Sequence, residues 1–307
     1  MNRRQLILGA AGLIGLGSLT RNAFAARWKL ISENAGTSIG TTGASWSAAG
    51  NLLLARQALA AGGDPGNALV CGGYITTPLS HSERHNGTAW SAAAALNLAR
   101  YHHAACGAAS ATLASGGVTP GGITNSAEQH NGTTWAVAGN MNEIRAYHAA
   151  CGAPLAALAF GGSTSRRTEH YDGSAWTLGG NLLISRQNHG GCGNPFAALA
   201  IGGQNSSALA SHEQYNGTTW LAGAASLASA RITPGAAGNP SAALAFAGLN
   251  GTPLSSSETW NGSSWSAGPN LATARYAHAG SGSGNTALAS AGYGNSGTLG
   301  SSEKYRA

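Results

Sequence analysis

The chain has 307 residues and a formal charge of +6, yet only 8% of its residues are charged and 47 are glycine. That mixture disfavours long helices and suits strands and tight turns. Lysine and arginine form no cluster that would serve as a nucleic-acid footprint, and apolar residues recur regularly enough to offset the ordering entropy that leaves polar chains disordered.

Asn2-Arg3-Arg4-Gln5-Leu6-Ile7-Leu8 resembles the twin-arginine export motif, with Leu6 where that family often has Phe. The weakly apolar run from Leu6 to Leu19 is broken by Gly9, Gly12, Gly15 and Gly17. It is too short and glycine-rich to span a bilayer stably. Arg21 then precedes the cleavage-like Ala23-Phe24-Ala25. Residues 1–25 are therefore expected to be a cleaved signal peptide, either twin-arginine or an ordinary secretory signal carrying two arginines. Both readings place the protein in the periplasm or outside the cell, and no later segment is apolar enough for a transmembrane anchor. Without the leader, 13 basic residues face 10 acidic ones. Residues 26–42, with Trp28, follow as an N-terminal extension.

From residue 43 to residue 307 the chain repeats. Trp46, Trp90, Trp135, Trp176, Trp220 and Trp265 recur every 41 to 45 residues. A period of this size is the mark of propellers or helical arrays. No stretch sustains a helical period, whereas short apolar runs and turn signals recur, so the reading is all-β. After each Trp comes an arginine: Arg56, Arg100, Arg145, Arg186, Arg231 and Arg275. A strand of small residues follows, such as His103-Ala104-Ala105-Cys106. A second apolar strand ends in a glycine pair, Gly72-Gly73 in the first copy, which weakens to Ala247-Gly248 and Ala291-Gly292 in the last two. A third strand carries Glu, one residue, then an aromatic or His, as in Glu83/His85 and Glu169/Tyr171. Asn-Gly or Asp-Gly leads to the next Trp, and between strands it predicts a type I′ hairpin with both central residues at positive φ.

This order resembles the kelch repeat, six times over. The resemblance implies a six-bladed β-propeller of four-stranded antiparallel blades around a central channel. The last repeat lacks a Trp strand and the first Trp lacks three strands before it. The segment around Gly43–Trp46 is therefore expected to complete the sixth blade and close the ring, removing two exposed sheet edges.

Three constellations are candidates for chemistry. The six arginines are expected at the start of the innermost strands, ringing one mouth of the channel. A guanidinium fork there suits acidic ligands, while the matching glutamate of each repeat offers a structural partner instead. His103, His148, His189 and His278 each follow an arginine by three residues and are candidate metal ligands. The alternative for them is structural filling. Cys71, Cys106, Cys151 and Cys192 are expected as free, buried thiols. Hydrolase, metalloprotease and phosphate-loop signatures are absent. The leading expectation is a non-catalytic module, with no cofactor, that binds a protein or carbohydrate at one mouth. Its contacts would lie on the variable loops Tyr74–Ser82, Val118–Ser126, Ser163–Arg167 and Gln204–Ser211. The alternative is a metal-dependent enzyme, of the copper-radical oxidase type or another, with a site on the channel axis.

Overall fold

The computed structural model describes residues 43–163 and 165–307. The expected signal, 1–25, and extension, 26–42, lie outside the described residues. Six four-stranded antiparallel sheets make up the fold, and no helix occurs among the described residues. In blade one the strands, from the axis outward, are Ala60–Asp64, Asn67–Cys71, Ser82–His85 and Trp90–Ala93. The first strands of the other blades are Ala104–Ala108, Ala149–Ala153, Gly190–Asn194, Gly235–Asn239 and Ala279–Ser283. Each first strand lies against those of both neighbours, the first blade meeting the sixth. In the last sheet the fourth strand is Ser45–Asn51, which pairs with Ser301–Arg306 and sets Trp46 opposite Tyr305.

Crowding at the axis explains the composition of the first strands. A Cβ built on Gly62 would lie 2.8 Å from the Gly107 carbonyl of the next blade, and one on Gly191 would lie 2.6 Å from Ala149 Cβ. Six converging strands leave room for hydrogen or methyl and little else. The second strands have sheet on both sides and are predominantly apolar for that reason, with Thr112, Ser115 and Ser290 as buried exceptions. Leu69, Leu113, Leu158, Leu199, Leu244 and Leu288 on them are fully buried. Each core cluster joins two blades, as where Cys151, Leu158 and Phe160 meet Ala198, Tyr215 and Trp220. A blade alone would leave half of such a core exposed, so stability belongs to the ring.

The repeating aromatics are cross-strand pairs. His85 faces Trp90, Tyr171 faces Trp176 and Tyr215 faces Trp220, with ring centroids 4.9, 4.9 and 5.0 Å apart. Such contacts pin the register of the two outer strands. The connection between them differs from the expected type I′ turn. Asn86-Gly87-Thr88-Ala89 is a four-residue loop in which Gly87 has φ +94° and Asn86 stays out of the left-handed region. Asn86 Oδ1 instead accepts from the amides of Thr88 and Ala89 at 3.0 and 2.9 Å. The side-chain acceptor closes the turn, so a second left-handed residue is not needed.

Candidate functional site

The structure places the six arginines in the connectors, four residues before each first strand, and not in a ring at the channel mouth. All six are fully buried, and each pairs with the glutamate on the third strand of its own blade. In blade two Arg100 donates to Glu128 at 2.9 Å, to the Gly116 carbonyl at 2.8 Å and to the Ser126 carbonyl at 2.9 Å. Glu128 also accepts from the amides of Asn97 and Leu98 at 2.7 and 3.1 Å. The pattern recurs, with Glu213 holding Leu183 and Ile184 and Glu303 holding Ala272 and Thr273. Each pair thus clamps the segment arriving from the preceding blade onto the third strand of the next. Burial pulls the pKa of Arg145, Arg186, Arg231 and Arg275 below its usual value, and the paired glutamate opposes that shift.

The four candidate histidines are buried between blades. His103 Nε2 lies 3.4 Å from Cys71 Sγ, and His148 Nε2 lies 3.2 Å from Ser115 Oγ. His189 and His278 pack on Phe160 and Phe246, with centroids 5.5 Å apart in both cases. Every one of these partners ends the second strand of the preceding blade. Burial, followed by the neighbouring repeat arginine, lowers the pKa of His189 and His278 to about 3 and that of His103 and His148 well below normal. Among the described residues no three His, Cys, Asp or Glu side chains gather as a metal site. The four cysteines are free and buried. Burial raises the thiols of Cys71, Cys106 and Cys192 to about 12.

The candidate histidines His103, His148, His189 and His278 also border the mouth, together with the residues two positions after each arginine: Ala58, His102, Tyr147, Asn188, Thr233 and Ala277. All six have left-handed backbone, with φ from 48° to 61°. A belt of hydrogen bonds explains this. The amides of His102, Tyr147, Asn188 and Thr233 donate to the carbonyls of Ala58, His102, Tyr147 and Asn188 at 2.9, 2.8, 2.8 and 2.6 Å. Ala58 donates to the Ala277 carbonyl at 2.7 Å, and the Ala277 amide to Thr233 Oγ1 at 3.2 Å. The belt runs from blade to blade around the axis and satisfies polar backbone that would otherwise be stranded there.

The variable loops stand directly outside this belt. Gln57 pairs with Tyr74, Tyr101 with Val118, Gln187 with Gln204, Ile232 with Leu249, and Tyr276 with Tyr293. Aromatic rings line one sector in sequence, Tyr74 to Tyr101 at 4.8 Å, Tyr101 to His102 at 5.1 Å and His102 to Tyr147 at 4.3 Å. Within the rim is a cavity of about 290 Å³, bordered by Gln57, His102, Tyr147, Asn188, Gln204, Thr233 and Tyr276 among others. No Asp, Glu, Lys or Arg borders this cavity, and burial lowers His102 to about 4. Deeper, the channel is lined mostly by alanine and glycine, beside Leu59, Pro234, His189 and His278, with Cys106, Cys151, Cys192 and Ser281 at the far end.

No protein-family model matches the chain, and no curated protein matches it by sequence. The belt residues escaped the sequence reading because backbone φ leaves no mark on composition. One signal was present: two positions after the constant arginine, the repeat reads Ala, His, Tyr, Asn, Thr, Ala, a variable position in a regular frame.

Proposed function

We propose that the chain is an exported, kelch-type binding module whose ligand sits in the mouth bounded by the belt and the variable loops. The observation that carries this reading is the set of strained turns. Side chains held in left-handed backbone cost about 1–2 kcal/mol each and cluster where function over-determines them. Here they face a concave, uncharged cavity of ligand size. The arginine–glutamate pairs are read as struts, since none of the arginines has surface to offer. The enzyme alternative would rest on His103, His148, His189 and His278 around the axis, which pack singly between blades and do not gather as a metal site among the described residues.

The test is retention on the immobilised full chain. Envelope and extracellular extracts should yield a ligand that the Tyr147→Gly protein fails to hold. A Phe196→Ser protein, altered at an exposed hairpin tip next to the first-strand end, should still hold it. Equal retention by all three proteins would refute the mouth reading. Export is tested separately by Arg3→Lys with Arg4→Lys, which should leave the unprocessed chain in the cytoplasm. Unchanged export would refute the twin-arginine part of the proposal.

A further inference from the structure

Among the described residues, left-handed backbone falls on glycine at twenty-five positions and on other residues at nine. Six of those nine form the mouth belt. Elsewhere this glycine-rich chain meets the same backbone demand with glycine at all but three positions. At the belt it carries imidazole, phenol, amide and hydroxyl instead. The six-fold pattern is also broken on one side, where Ala58 and Ala277 place only methyl groups beside the axis while His102, Tyr147, Asn188 and Thr233 face them across the opening. The belt is thus polar or aromatic on four blades and bare on two, where Gln57 and Tyr276 border the cavity just outside it.

The charge distribution narrows the ligand. The described residues include eleven arginines and lysines and nine aspartates and glutamates. Twelve of these twenty are consumed in the six buried pairs. Of the remainder, only Glu143, Arg166 and Arg167 belong to the loops on the mouth side, and Arg167 is paired to Glu143 at 3.0 Å. Nothing in the recess attracts a carboxylate, phosphate or sulfate. Bordering it are Gln57, Asn188 and Gln204, whose amides donate and accept together, beside the aromatic side chains of Tyr147 and Tyr276. Paired donor–acceptor amides match adjacent hydroxyls, and aromatic faces match the C–H face of a pyranose ring.

We infer that the mouth binds an uncharged saccharide, with Tyr147 as the stacking platform and Asn188 as a hydroxyl-reading amide. This rests on the mouth being the binding site, and the test separates the two claims. The full-length protein is titrated with a panel of neutral oligosaccharides, their sialylated and sulfated counterparts, and acidic and neutral peptides. Tyr147→Gly and Asn188→Gly run in parallel, since glycine suits the left-handed backbone and keeps the fold. A neutral oligosaccharide should bind with little dependence on salt, and each variant should bind it about tenfold or more weakly at a melting temperature no lower than that of wild type. Preferential binding of an anionic glycan or a peptide, lost in the same variants, overturns the saccharide inference and leaves the mouth reading standing. Neutral saccharide bound equally by wild type and both variants overturns the mouth reading as well. Failure of every neutral oligosaccharide to bind also overturns the inference.

Discussion

Removing one carboxylate should reveal how much each blade depends on its buried pair. In Glu128→Ala, Arg100 loses its charged partner while remaining fully buried, and the amides of Asn97 and Leu98 lose their acceptor. Orphaning a buried charge costs about 3–5 kcal/mol. The two amides lie at a partly exposed connector that water can reach, so they add about 1 kcal/mol. For a domain of this size each kcal/mol lowers the melting temperature by about 2 °C, so the expected fall is about 8–12 °C. Arg100→Ala with Glu128→Ala removes the stranded charge too, and it should melt above the sum of the two single losses by about 2–3 kcal/mol of coupling. Calorimetry on the four proteins closes the cycle. A Glu128→Ala protein within about 2 °C of wild type, or strictly additive losses, would refute the strut argument.

Acid should unfold the propeller through its histidines. His189 and His278, held at about 3 against a normal value near 6.5, bind protons in the unfolded chain first. Their stabilisation is complete above about pH 6.5 and is lost as pH falls toward 3, each contributing about 1.4 kcal/mol per pH unit in that window. Melting temperature should therefore drop steeply from pH 6 to pH 4 and less so in His278→Leu; a flat profile contradicts it. Gly116→Ala should cost about 2–4 kcal/mol by urea unfolding, because its Cβ would lie 2.5 Å from the Arg145 carbonyl at φ +60°. Ala247→Gly, where the same backbone already carries a methyl at φ 57°, should stay within about 1 kcal/mol of wild type. A chain beginning at Leu52 lacks the strand opposite Ser301–Arg306 and should melt lower and associate through the bared edge. If it stays monomeric with an unchanged melting temperature, the belt between Ala58 and Ala277 suffices to close the ring.

Blade number, strand order and the identity of each arginine–glutamate pair were legible in the sequence. Each depends on interactions within one repeat, such as the Trp and the aromatic that face one another across four loop residues. Those constraints return every 41 to 45 residues and so appear as a period. What the period could not convey is set by neighbours from other blades. The arginines point to the third strand and not to the axis because the connector from the preceding blade must be anchored there. Similarly, His103 meets Cys71 of the preceding blade, a contact that spans two repeats. The recess at the mouth exists only because six left-handed turns from distant repeats meet in one hydrogen-bonded belt. No single repeat contains the information for that belt; it arises when the blades converge on a common axis.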